Sequence, residues 1–516
     1  MVPFSQGAIP LQLQAVLGDG KTTMVRNVVA DPPAEASPLN AAELDADYYS
    51  PREDVVLKPG DWLRVVCEGP PGAKAAFKIS SGRYRPMVEM DPQPPTVPAG
   101  IYKADYWIPL NASLDHASIH FRLTLKRRKT LFGKAPGFLS VQDDGQRPVC
   151  QIKDDLVTVL TGPDKGLGYG AFLPKGVLSG ITGSWGKYLR LGFGNRVIGW
   201  VDGQQVALLP PGTPAPHSIL GSLTVKTAEG GTQISIPLEA QQPFRVEQTI
   251  GPVKYKVSLY GVTAQVNNVH YESDDTCVKE LRWRQVDESL CELEITTNQQ
   301  FAWGYDVRYE GNKMIFEIRH APVLHPTKKS PLSGLIVALD AGHSSANQGA
   351  TGPLGTREDA INLLVARQLE EKLRSLGAGI IQVRQNDENL DLLRRTRIAW
   401  TSRAHLFISI HQNSIADSGN PLEDNGFGIY YWTPQSRSLA EAVHAAYRSN
   451  IPLKDRGLWC DNLAVCRMTQ MPSILTESAF IIVPEQEEML LDPVFRNKIA
   501  TAITEGIQQF IKQAIP

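Results

Sequence analysis

The sequence predicts a multidomain chain in which β-rich N-terminal domains precede an α/β domain with a mostly parallel sheet. Three observations lead there. The chain has 516 residues, enough for about three or four domains of ordinary size. From about residue 53 to residue 320 the apolar residues alternate with polar ones in short runs separated by Gly- and Pro-containing turns, the period of half-buried strands. Beyond residue 332 apolar runs alternate with helical stretches, the pattern of strand–helix crossovers and hence of parallel pairing.

Lys and Arg total 52 against 54 Asp and Glu, a net charge of −2. This balance supplies no global attraction to nucleic acid or to an anionic membrane, so neither partner is expected. No run reaches the ~18 apolar residues of a membrane span. Met1–Gly20 lacks a basic start and an apolar stretch, so it does not read as a signal peptide. An exported protein with this sequence is expected to have lost a leader. The six cysteines are sparse and contain no Cys-x-x-Cys. A loop closed by Cys460 and Cys466, or by Cys277 and Cys291, and isolated thiols are all compatible with the spacing.

Residues 1–47 carry no pattern and read as an arm. Residues 48–149 read as a β-sandwich, with alternation clearest at Asp61–Cys67 and Ile119–Leu125; the basic run Lys126–Lys129 fits a solvated turn or a contact with an anionic polymer. Residues 150–212 hold four further strand signals: Gln151–Leu160, Val177–Trp185, Tyr188–Phe193 and Val197–Val201. Trp185, Tyr188 and Trp200 are spaced to form one aromatic cluster, read as core before binding surface. The Pro174-Lys175-Gly176 turn, the Gly183-x-Trp185-x-x-Tyr188 pattern and Gly199-Trp200-Val201 resemble bacterial SH3-like domains. Residues 213–320 read as a further β-rich domain, its end at Asn312–Arg319 resembling wall-targeting domains. A Pro-rich linker, 321–332, precedes the last domain, 333–516.

In that domain Leu335–Asp340, Ile380–Val383, Leu406–Ile410, Phe427–Tyr431 and Ser473–Thr476 read as strands. Helices are expected at Ala360–Leu376, Asp391–Ser402, Ser436–Arg448 and Asp492–Lys512, the first with Ile361, Leu364, Val365, Leu369, Leu373 and Leu376 on one face. Ionisable residues gather at strand ends: His343 three residues after the first, His411 at the end of the third, Glu477 at the end of the last. In an open α/β sheet these ends form one crevice, and Glu358 follows the Gly-rich loop Gly349–Gly355 that folds over the same edge. Two imidazoles and a carboxylate suit zinc, and a second carboxylate suits proton transfer. The spacing alone leaves structural roles open, such as a helix N-terminal carboxylate for Glu358. His405 is expected to face a helix or solvent, and His444 to be structural or exposed.

Four motifs recur in order: Leu339-Asp340-Ala341-Gly342-His343 leading to Glu358 and Asn362; Leu392-x-x-Arg395 followed by Ala404–Asn413; Asp455-Arg456-Gly457; and Pro472–Phe480 with Pro484 beyond. Together they resemble the zinc-dependent N-acetylmuramoyl-L-alanine amidases of bacterial cell walls. The resemblance implies one zinc ion held by His343, Glu358 and His411, with Glu477 as the catalytic carboxylate. It implies cleavage between muramic acid and L-alanine, peptidoglycan strands and stem peptides as partners, and a periplasmic, secreted or wall-associated place. Asn413 is a candidate hydrogen-bond donor to the site or substrate; Arg395 and Arg456 are candidate carboxylate or backbone anchors, or structural ion pairs. Ser344-Ser345, Trp400, Ala479 and Val483 depart from the family pattern without touching the four site residues. Between His411 and Glu477 lie 65 residues, too few for an autoinhibitory helix. A zinc peptidase acting within the stem peptide, and an inert wall-binding protein, are the rival readings.

Overall fold

The structure is a computed structural model describing residues 45–515 except 92–98, 126–128, 143–147, 164–167, 194–196, 273–274, 415–422 and 424. The arm up to residue 44, its Pro-rich stretch, most of the stretch at 91–98 and three residues of the basic run 126–129 lie outside the described residues.

The first β region is a sandwich. A four-stranded sheet containing Trp62–Glu68 and Ile101–Trp107 faces part of a twelve-stranded sheet that includes Lys74–Ile79, Leu114–Thr124 and Thr130–Val141. Alternate residues point inward, so Leu63, Val65, Phe77, Ile119, Phe121 and Leu123 fill the space between the sheets. The larger sheet continues past residue 149. Val55–Leu57 pairs in parallel with Leu139–Val141 on one side and antiparallel with Leu178–Trp185 on the other. Residues from 150–212 thus share a sheet and hydrophobic cores with the regions on either side. Trp185, Tyr188 and Trp200 do cluster, but in the core of the preceding sandwich, beside Tyr49, Val55 and Phe121. The other apolar face of this stretch, with Leu173, Leu191 and Phe193, joins the core of residues 218–319, where Phe193 stacks on Tyr260 at 5.6 Å. A strand open on both sides takes partners on both sides, and sequence spacing does not reveal that.

Residues 218–319 form a five-stranded and a four-stranded sheet around Val225, Ile234, Tyr255, Val257, Leu293 and Phe316. All six cysteines are free, five of them buried and Cys460 exposed. Residues 321–332 are no loose tether. Leu332 is buried and donates its N–H to Leu376, and Gly334, at φ +97°, passes so close to Val323 that a Cβ would meet its carbonyl oxygen at 2.3 Å.

The last domain contains β1 (Ile336–Ala341), α1 (Glu358–Ser375), β2 (Gly379–Gln382), α2 (Leu392–Thr401), β3 (Leu406–Asn413), β4 (Phe427–Tyr431), α3 (Arg437–Asn450), β5 (Asp455–Cys460), β6 (Ser473–Phe480), α4 (Pro484–Leu491) and α5 (Pro493–Ala514). The strand order is β2-β1-β3-β6-β4-β5, parallel except for the β6–β4 pair. Helices α1, α3 and α5 pack on one face through Ile361, Val365, Leu369, Val443 and Ile503, whereas α2 packs on the other with Ala399 beside Phe407 and Leu475. Leu364, expected on the buried face of α1, is 40% exposed. Its position falls at the margin of the stripe.

The last β-rich region is bolted to this domain. Tyr305 donates its N–H to the Thr469 carbonyl at 2.7 Å, and Gly304 (φ +121°) lies so close that a Cβ would meet the Gln470 oxygen at 2.3 Å. The buried Arg319 guanidinium donates to the carbonyls of Arg403 (3.1 Å), Ala404 (2.9 Å) and Gln470 (3.2 Å). These carbonyls precede β3 and β6. Removing the guanidinium strands three acceptors in a buried seam, so Arg319→Met is expected to cost about 2–4 kcal/mol. Amide exchange should then quicken in Leu406–Asn413 and Ser473–Phe480; unchanged exchange in both strands would contradict this account.

Candidate metal centre

β1 runs into Gly342 and His343, and His343 adopts φ +63°, a conformation costly to a side-chain-bearing residue. Two buried arginines hold this turn. Arg395 of α2 donates to the His343 carbonyl at 2.6 Å, to the Ala341 carbonyl at 2.9 Å and to Asp340 Oδ1 at 2.7 Å. Arg384, just beyond β2, donates to the carbonyls of Ala341 (3.0 Å), Gly342 (3.2 Å) and Asp359 (2.9 Å). Asp340 accepts a further bond from Ser409 at 2.8 Å. The turn is therefore set by charge-assisted bonds to backbone oxygens rather than by its own residues.

Glu358 is the first residue of α1, where the unpaired N–H groups of a helix start favour negative charge. Its Oε2 accepts from Ala350 N at 2.8 Å, and its Oε1 from Gln412 N at 3.2 Å and Asn362 Nδ2 at 3.3 Å. The same Oε1 lies 3.3 Å from His343 Nε2 and 3.0 Å from His411 Nδ1. The two rings stand edge to face, 4.9 Å apart. One donor atom from each of the three residues falls within 4.8 Å of the others. Burial opposes the charge of Glu358, but the bonds from His343 and His411 outweigh it and hold the carboxyl well below its ordinary range.

Glu477 reaches the same place through register. In the parallel β3–β6 pair His411 stands opposite Glu477, so both side chains leave the same face of the sheet. Its Oε2 is buried without a hydrogen-bond partner among the described residues. Burial, and then the negative charge of Glu358, push its proton affinity well above the usual carboxylate range, with Arg456 pulling the other way.

The donor set fits one zinc ion: two imidazole nitrogens and one anionic oxygen converge, leaving a fourth position. The glycines beside it fit as well. A Cβ on Gly349 (φ +70°) would lie 2.2 Å from Glu358 Oε2 and 2.7 Å from His343 Cδ2, and one on Gly342 would lie 2.2 Å from the His411 ring. Gly349→Ala is therefore expected to weaken zinc binding by about 10–100-fold, read by competition with a chromogenic chelator. An unchanged affinity would show that the loop yields freely. His343 is opposed by burial yet raised overall by Glu358. Its proton thus competes with a metal up to a higher pH than an ordinary imidazole allows, and zinc affinity should fall as pH drops through that raised value. A flat affinity between pH 8 and 5, measured by calorimetry, would contradict this.

The remaining candidates divide. Arg395 anchors backbone, and with 4% of its side chain exposed it does not face a substrate. Arg456 lies 4.9 Å from the Phe480 ring and 5.9 Å from Trp459, with Nη1 3.5 Å from the Tyr430 hydroxyl. Asn413 accepts from Ser414 N at 2.8 Å and neighbours Tyr430. His405, expected to face a helix or solvent, accepts the Ile336 N–H at 2.9 Å in the seam with Arg319 and Arg403, where burial first and those cations second lower its pKa to about 4. His444 pairs with Asp455 at 2.8 Å, a structural role. Sequence reasoning missed Arg384, Gln412 and Glu487. The last binds the N–H groups of Leu354 (2.8 Å) and Thr356 (3.0 Å) and so shapes the Gly-rich loop. An arginine directly after an apolar strand was the available signal for Arg384.

A parallel α/β sheet with this donor set at its carboxyl edge defines the class, a domain built around one zinc ion of the hydrolase type. Residues 337–509 match the family model described as N-acetylmuramoyl-L-alanine amidase. The chain is 34% identical over 183 residues to the uncharacterized protein YqiI of Bacillus subtilis, covering 36% of this chain and 88% of that one. It is 34% identical over 188 residues to N-acetylmuramoyl-L-alanine amidase LytC of Bacillus subtilis, covering 36% of this chain and 37% of LytC. The catalytic domain of CwlV from Paenibacillus polymyxa is a similar solved structure, at 31% identity and TM-score 0.33, covering 34% of this chain and 98% of that one. The chain belongs to the N-acetylmuramoyl-L-alanine amidase family. It spans little more than a third of LytC and 62% of the probable cell wall amidase LytH of Staphylococcus epidermidis.

Proposed function

We propose that the protein hydrolyses the amide between N-acetylmuramic acid and L-alanine in peptidoglycan, with zinc held by His343, Glu358 and His411. The observation that carries this reading is the convergence of those three donors beside Glu477, whose buried oxygen has no hydrogen-bond partner among the described residues. A zinc ion there supplies positive charge that polarises a carbonyl and acidifies water. Glu477 takes the proton of the attacking water as the C–O bond forms and delivers it to the nitrogen of L-alanine, so that the C–N bond then breaks and the amine leaves. Gly342 and Gly349 leave room for the donors, and Arg384 and Arg395 keep His343 from drifting.

The upstream regions complete the reading: 150–212 as an SH3-like domain and 213–320 as a wall-targeting domain, both holding glycan near the site in the periplasm or cell wall. Among the described residues no helix is long and apolar enough to cross a membrane. The test is digestion of purified sacculi with and without chelator, followed by mass analysis. Intact peptides beginning with L-alanine, lost on chelation, are expected. Fragments cut within the stem peptide would identify a peptidase, and no released fragment would leave an inert wall-binding protein.

A further inference from the structure

The first sandwich carries a basic face that the amidase reading does not use. Lys78, His120 and Lys134 stand opposite one another across three neighbouring strands. On a sheet, like charges placed in a row repel and weaken pairing. The neighbouring row adds Arg122 opposite Phe132, and Phe132 is 68% exposed. Tyr84 joins this surface, with the Arg122 guanidinium 4.1 Å and the Lys78 ammonium 5.3 Å from its ring. No Asp or Glu occurs in residues 74–79, 118–124 or 130–134, although the whole chain is slightly acidic. The inward residues Phe77, Ile119 and Phe121 belong to the core, so the basic residues occupy the outer face by strand alternation. Burial first, and then Lys78 and Lys134, depress the proton affinity of His120, as a local excess of positive charge requires.

We infer that this face binds peptidoglycan, with Lys78, Arg122 and Lys134 meeting the carboxylates of its stem peptides and Tyr84 and Phe132 lying against its sugar rings. The choice of glycan over nucleic acid rests on the amidase reading; the charge and the exposed rings stand without it. Repulsion built into the row is relieved when an anion arrives, which favours the bound state over an empty face. Binding here raises the local concentration of substrate for the distant site.

The test uses the full chain with Glu477→Gln, so that binding is read without cleavage, in co-sedimentation with sacculi stripped of phosphate-bearing polymers. Adding Lys78→Gln, Arg122→Gln and Lys134→Gln together is expected to weaken sedimentation by about tenfold or more and to flatten its salt dependence. The same three substitutions with Glu477 intact should leave cleavage of a soluble muramoyl-dipeptide unchanged. Lys78→Arg with Lys134→Arg should retain binding, which separates lost charge from a damaged sheet. Unchanged sedimentation of the triple variant overturns the inference, as does tighter binding of the wild-type face to an oligonucleotide or a phosphate polymer than to sacculi. A wild-type chain that fails to cleave the soluble substrate overturns the amidase reading instead.

Discussion

Glu477→Gln is expected to lower amide hydrolysis by about 10²–10⁴-fold while zinc still binds. The substitution keeps the size and the hydrogen-bonding tip of the side chain but removes its capacity to take up a proton. Glu477 sits beside His411 by strand register, and it is absent from the set of three that converges within 4.8 Å. Loss of rate should therefore come without loss of metal. Colorimetric zinc titration together with turnover of a muramoyl-peptide reads both. A variant that loses zinc in proportion to rate would make Glu477 a ligand, and one that keeps full rate would remove it from the mechanism.

The second large effect is on stability. Arg395 and Asp340 form a buried pair at 2.7 Å with side chains 4% and 1% exposed, and the same guanidinium holds the carbonyls of Leu390, Ala341 and His343. Arg395→Met leaves a buried carboxylate and several acceptors without their donor. Breaking one side of such a pair costs about 3–5 kcal/mol. The amidase domain should melt well below the wild type, and zinc should bind more weakly because the His343 turn has lost a clamp. Arg395→Met with Asp340→Asn should recover part of the stability, since no uncompensated charge then remains. A single variant as stable as the wild type would show that water replaces the guanidinium.

Much of the amidase domain was legible because its signals are local. An apolar strand followed by Gly-His, a Gly-rich loop ending at Glu358 and a strand ending in Thr-Glu each announce themselves within a few residues, and strand tips in an open α/β sheet point to one edge. The β5 strand Asp455–Cys460 and helix α4 (Pro484–Leu491) went unread. The first is a half-exposed edge strand with little apolar pattern, and the second is a short helix rich in acids. Arg384 went unread and Arg395 was left between anchor and ion pair, because burial beside backbone carbonyls is a property of the fold around them.

In the N-terminal half the strands themselves followed from alternation, but their grouping did not. Val55–Leu57 joins two regions into one sheet, and Trp185 and Trp200 fill a neighbour's core instead of their own. By itself the sequence determined most of the strands and helices and that ionisable residues fall at the strand ends, since periodicity and chain order are encoded along a line. Only the tertiary structure decided how far the sheets extend, which arginines hold the His343 turn, and that Arg319 reaches the backbone ahead of β3 and β6. Those outcomes depend on which unsatisfied carbonyls and open strand edges meet across space, and nothing short-range specifies that.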